Sequence, residues 1–120
     1  MEDKPKYDLE KRTYQFALAV RKIVMQLPYN IVNSQDAKQV VRSSGSIGAN
    51  YIEANESVGD KDFLFRLKTS RKEAKESIYW LNLLKECNSQ SISDEIESLL
   101  VEATELRKIF STIISKFKPK

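Results

Sequence analysis

Arg42, Ser46, Asn50 and Glu53 are separated by four, four and three residues, a spacing that aligns side chains along one face of an α-helix. Arg66, Ser70, Glu73 and Ser77, separated by four, three and four residues, show the same kind of spacing further along the chain. Two such polar faces set against each other can close into one hydrogen-bonded network. Within it, Glu53 and Glu73 are the two carboxylates that could share a metal ion or do acid–base work. The surrounding chemistry is thin. The chain has no histidine, which removes the commonest general base, the commonest metal ligand and every nucleophile activated by imidazole. It also excludes a di-metal site of the Glu-x-x-His type. The expectation is therefore a structural polar network of Arg42, Ser46, Asn50, Glu53, Arg66, Ser70 and Glu73, because buried polar groups must be paired. A ligand-binding site on the same seam is the alternative. No catalytic residue, metal or cofactor is assigned, and the chain is not read as an enzyme.

The second feature is the glycine- and serine-rich stretch RSSGSIGANYIEA, residues 42–54, inside a segment of helical periodicity. Gly45 and Gly48 each cost a helix about 1 kcal/mol relative to alanine. Close approach of another helix to this small-residue face is the compensation expected.

Basic residues supply the other candidate chemistry. Lys61, Lys68, Arg71, Lys72 and Lys75 lie broadly to one side of a helix and could contact phosphates. Arg12, Arg21 and Lys22 offer a second cluster. Asp60, Asp62, Glu73 and Glu76 interrupt the first run, and Lys72–Glu76 has the spacing of an intrahelical ion pair, so a solvated, salt-bridged face is the competing reading. Phe65, Tyr79 and Trp80 exceed what one core needs. They are read as an oligomer contact in preference to a base-stacking platform.

These groups need elements to carry them. The 120 residues suit one domain, and 41% hydrophobic with 31% charged residues fits a helical globular chain and not a disordered one. Only three glycines and three prolines argue for a few long elements joined by short loops. Apolar spacings of three, four and seven predict helices over residues 8–27, 34–58, 61–87 and 93–117, with Asp8 and Asp60 as caps, Gly59 closing the second helix and the tail from Lys118 to Lys120 frayed. The fold class that follows is all-α, a single up-down-up-down four-helix bundle. No run reaches the ~20 apolar residues that span a bilayer. With no secretory leader in MEDKPKYDLEKR and a lone cysteine, Cys87, the expected location is the cytoplasm, with no membrane partner.

Three stretches carry a family resemblance: RTYQFALAVRKIVMQLP, QVVRSSGSIGANYIEANES and DFLFRLKTSRKEAKESIYWLNLL. The chain resembles the 23S rRNA-intervening sequence proteins over roughly its first three quarters. Arg42, Ser46, Ile47, Asn50 and Glu53 match the family's R-x-x-x-S-I-x-x-N-x-x-E pattern, and Lys72, Glu73, Glu76, Trp80 and Leu81 match its next one. A related protein, the accessory variability determinant of diversity-generating retroelements, partners a reverse transcriptase and binds nucleic acid. The resemblance implies a four-helix bundle, a ring-like homopentamer, and association with RNA or DNA.

Residues and resemblance together lead to a non-enzymatic, self-associating bundle that binds nucleic acid or a nucleoprotein through repeated basic helix faces. The alternative is a scaffold that docks on a partner enzyme without touching nucleic acid.

Overall fold

The structure, a computed structural model, describes residues 8–118 and contains four α-helices: α1 (Leu9–Val24), α2 (Ile31–Asn55), α3 (Gly59–Glu86) and α4 (Gln90–Lys116). The fraying expected of the chain's end falls largely on Pro119 and Lys120, outside the described residues. The helices run up-down-up-down, and each packs on its neighbours in sequence while α1 closes the bundle against α4. The diagonal pairs meet only through core side chains, such as Tyr51 of α2 edge-on to Phe110 of α4 at 5.8 Å between ring centroids.

The end of α1 and the starts of α2 and α4 differ from the expected positions. Asp8 accepts a hydrogen bond from the Lys11 amide at 3.2 Å and opens α1. That helix ends at Val24 and not at 27, because residues 25–27 tighten into a turn with the Gln26 and Leu27 amides bonded three residues back. α2 begins at Ile31 and not at 34, because the Asn30 side chain accepts from the Asn33 amide at 2.8 Å. Asn33, now inside the helix and buried, exchanges two hydrogen bonds with Asn88 at 3.0 and 2.9 Å and ties the α1–α2 turn to the α3–α4 turn. α4 starts at Gln90, ahead of the expected 93 and without a side-chain cap from Ser89, and Ser93 is buried within it.

The α2–α3 turn also departs from expectation. α2 stops at Asn55, and Gly59 is the first residue of α3, with a φ of +85° that favours glycine. Asp62, not Asp60, closes the turn by accepting from the Val58 amide at 3.2 Å.

Apolar residues at helical spacing fill the centre. Leu9, Phe16, Val20 and Ile23 of α1 meet Val40 and Ile47 of α2, Leu67, Leu81 and Leu84 of α3, and Ile96, Leu106 and Phe110 of α4. Burying one such side chain is worth roughly 1.5–3 kcal/mol. α2 faces its neighbours with small residues. A Cβ on Gly48 would lie 2.7 Å from Thr13 Oγ1, so α1 touches α2 at that turn, as the small-residue stretch implied. Gly45 lies beneath the Arg21 guanidinium, 3.1 Å from where its Cβ would be.

The two glycines should respond oppositely to alanine. Thr13 Oγ1 donates to the Leu9 carbonyl at 2.6 Å and cannot swing aside without losing that bond. Overpacking then exceeds the gain in helix propensity, and Gly48→Ala should lose about 1–2 kcal/mol in urea unfolding. Gly45→Ala meets only the end of a long side chain and should be neutral or gain up to about 1 kcal/mol. A stabilised Gly48→Ala would contradict the close contact.

Candidate nucleic-acid interface

The polar seam forms along α2 and α3, the most extensively packed helix pair. Antiparallel pairing sets Arg42 against Glu73 and Glu76, Ser43 against Ser77, Ile47 against Ser70 and Asn50 against Arg66. The Arg42 guanidinium donates to Glu73 Oε1 at 3.0 Å and also pairs with Glu76. Glu73 is only 9% exposed, so its carboxylate depends on that cation. The same contact holds Arg42 above its ordinary pKa, chiefly through the hydrogen bond to Glu73. Burial opposes this, and the charges of Glu73 and Glu76 add to it.

Hydroxyls continue the seam inward. Ser43 and Ser77 share a 2.8 Å hydrogen bond, Ser77 donates to the Glu73 carbonyl at 2.9 Å, and Ser70 donates to the Ile47 carbonyl at 2.8 Å. Arg66 donates to Asn50 Oδ1 at 3.0 Å, while the Asn50 amide donates to Ser46 Oγ at 3.0 Å. Six of the seven residues expected in this network are therefore bonded along the seam. Glu53 is not among them: it is exposed, and Asn50 turns to Arg66 instead of toward it. The Glu53/Glu73 carboxylate pair does not assemble. Among the described residues no group of three or more potential metal ligands is gathered. Ser43 and Glu76 are seam members that spacing along one helix did not reveal; their partners lie on the facing helix.

The basic residues divide by where the bundle turns them. Lys61, Lys68, Lys72 and Lys75 are all exposed, on a ridge along the outside of α3. No ion pair is recorded for any of the four among the described residues. The expected Lys72–Glu76 pair is absent because Glu76 reaches Arg42. Two other acids of that run are also drawn off: Glu73 is buried, and Asp62 serves Val58 and Arg66.

The remaining candidates do not join the ridge. Arg71 is half-buried and turned to α4, 3.4 Å from Ser111 Oγ. Arg12 forms a two-pronged pair with Glu102 at 2.6 and 2.9 Å, joining α1 to α4. Arg21 donates to the Ala17 and Val41 carbonyls and seals the α1–α2 contact. Lys22 is exposed near the end of α1, on the helix diagonal to α3. Arg12, Arg21 and Lys22 are thus not one cluster facing a common partner.

The aromatics divide as well. Phe65 and Tyr79 are 62% and 59% exposed and stand on the lysine ridge. Trp80 packs partly buried against the core with its ring edge-on to Tyr79 at 4.9 Å. Cys87 is exposed at the end of α3. On the opposite side a groove of about 420 Å³ runs between α1 and α2, floored by Ala17, Gly45, Gly48 and Ala49 and walled by Tyr14, Leu18 and Ile52. No helix among the described residues is long and apolar enough to cross a membrane.

The family described as 23S rRNA-intervening sequence protein matches residues 6–112. The match reaches well into α4, beyond the three stretches that carry the sequence resemblance. A crystal structure of a protein of unknown function from the S23 ribosomal protein family of Bacteroides thetaiotaomicron is similar at 32% identity and a TM-score of 0.75. The similarity covers 90% of this chain and 99% of that one. No curated protein matches the chain.

The two carboxylates that share Arg42 should be unequal in weight. Glu73→Gln removes the charge nearest the core and should cost about 1–2 kcal/mol, a buried pair discounted for the half-exposed arginine. Glu76→Gln, with an exposed partner, should cost under about 0.5 kcal/mol. Urea unfolding of the two variants reads the difference, and equal losses would contradict the ranking.

Proposed function

The chain belongs to the 23S rRNA-intervening sequence protein family, and from that premise we propose that it is a non-enzymatic helical bundle that binds nucleic acid through the lysine ridge of α3. The observation that carries this reading is that Lys61, Lys68, Lys72 and Lys75 are exposed along one ridge and form no ion pair among the described residues. A lysine already paired within the protein gains little from a phosphate. A lysine held in water gains the release of the counterions condensed on the nucleic acid. At 1.5 Å per residue the ridge from Lys61 to Lys75 is about 21 Å long, enough to follow several successive phosphates of one strand.

Such contacts position a strand without reading its sequence. Affinity is then modest for one copy and strongly dependent on salt. Self-association, as the homopentamer that the family resemblance implies, repeats the ridge by symmetry and adds weak contacts through multivalency. Arg42, Ser46, Asn50, Arg66, Ser70 and Glu73 serve this function indirectly, by fixing α3 against α2. Work in the cytoplasm fits the same reading.

One observation favours a second reading, a scaffold that docks on a partner protein. The α1–α2 groove exposes Tyr14, Leu18 and Ile52 around a floor of small residues, a shape suited to an apolar side chain of a partner.

Charge reversal separates the two. Lys68→Glu combined with Lys72→Glu and Lys75→Glu should abolish binding of RNA and DNA at low salt and leave the α1–α2 groove unaltered. Neutralising one ridge lysine should reduce the slope of log K against log salt by about 0.7–0.9. A wild-type protein without affinity for either nucleic acid at low salt would contradict the proposal, and so would a slope unchanged by these substitutions.

A further inference from the structure

Resting on the phosphate-binding reading, we infer that the α3 ridge takes single-stranded nucleic acid, with unpaired bases stacked on Phe65 and Tyr79 while the lysines between them hold the backbone. The ridge residues are Lys61, Phe65, Lys68, Lys72, Lys75 and Tyr79, separated by four, three, four, three and four positions. That alternation keeps all six on one line along the helix. Phe65 and Tyr79 therefore bracket Lys68, Lys72 and Lys75, with about 21 Å of helix between the two rings. Both rings are more exposed than the core requires, at 62% and 59%.

Each ring is steadied by one neighbour. The Arg66 guanidinium, itself fixed by Asn50, lies over one face of the Phe65 ring, 5.9 Å from its centre, so a base would take the other face. Tyr79 meets the Trp80 ring edge-on at 4.9 Å, with the planes at 82°. Neither contact is a second ring laid parallel on the aromatic face. A base has a flat π-face that an aromatic side chain can cover whatever the base, so such a platform tolerates sequence. In a duplex those faces are already stacked on neighbouring base pairs, and the rings have nothing to cover. The lysines serve either form of nucleic acid; the rings serve only an unpaired strand.

Phe65 and Tyr79 were expected from sequence to mark a contact between copies, and their position argues against it. A surface that covers both rings must also cover the lysines between them. Lysine is depleted at the buried centres of interfaces, and unpaired like charges brought together there are costly. A polyanion meets both demands at once.

The test is a titration of the full-length protein at low salt with a deoxythymidine oligomer and with a duplex of equal length. Trp80 is the chain's one tryptophan, and its contact with Tyr79 makes its emission a local reporter. The oligomer should change Trp80 emission and bind about tenfold or more tighter than the duplex. Phe65→Ala with Tyr79→Ala should remove that preference and leave duplex affinity unchanged. The Phe65→Leu with Tyr79→Leu pair, which keeps an apolar surface, should behave like the alanine pair. Equal binding of oligomer and duplex, unmoved by the ring substitutions, would overturn the single-strand inference and leave the lysine ridge standing. Absence of binding to both would overturn the phosphate-binding reading as well. Ring substitutions that lower the molar mass in light scattering without changing oligomer affinity would show a contact between copies and overturn the inference.

Discussion

Glu73 is a carboxylate inside a helix pair, and the bundle depends on the one guanidinium that neutralises it. Arg42 reaches across from α2 and holds Glu73 and Glu76 together. Sliding α2 by one turn along α3 would strand a nearly buried charge, a change worth several kcal/mol. It would also separate Ser43 from Ser77, Ser70 from the Ile47 carbonyl and Arg66 from Asn50, all of which occur in the same register. Hydrophobic burial drives the helices together but discriminates poorly between registers one turn apart. The polar seam supplies that discrimination. The same clamp has a surface consequence, since a Glu76 directed at Arg42 is withdrawn from Lys72.

Small residues make this geometry possible. The α2 face that carries Ser43 and Gly48 is narrow, so Ser43 can reach the Ser77 hydroxyl of α3 and Ser70 of α3 can reach the Ile47 carbonyl, while Thr13 of α1 rests directly on Gly48. Arg21 lies over Gly45 and bonds the Val41 carbonyl, closing the groove between α1 and α2 at that end. A leucine-lined α2 would hold its neighbours further off and leave those hydroxyls buried without partners. The cost of two glycines in a long helix and the specificity of the bundle are in this sense one feature.

Much of this was legible in the sequence, for identifiable reasons. Four helices follow from spacing, and Arg42, Ser46, Asn50, Ser70 and Glu73 were singled out because residues three or four apart share a face whatever the tertiary structure. Choices of partner between helices were not legible. Spacing favours Lys72–Glu76, an exposed pair worth only about 0.2–0.5 kcal/mol, and cannot reveal that an arginine on α2 competes for Glu76 with a planar, multi-donor head. Arg12 and Arg71 read as free cations for the same reason, while their partners, Glu102 and Ser111, are far away in sequence on α4. Glu53 continues the α2 pattern by one step but finds no facing donor. α2 and α4 start earlier than periodicity places them because their first turns break the pattern of apolar-in and polar-out: Ile31 and Val32 are exposed, while Asn33 and Ser93 are buried.

The functional account rests on the exposed lysines of α3 being the surface that meets nucleic acid. Footprinting by amine acetylation, mapped residue by residue with mass spectrometry in the presence and absence of a single-stranded oligonucleotide at low salt, tests this most directly. The account predicts protection of Lys61, Lys68, Lys72 and Lys75, while Lys22, Lys38 and Lys108 react as they do in the free protein. Protection confined to those other lysines, or a reaction pattern that the oligonucleotide leaves unchanged, would contradict it.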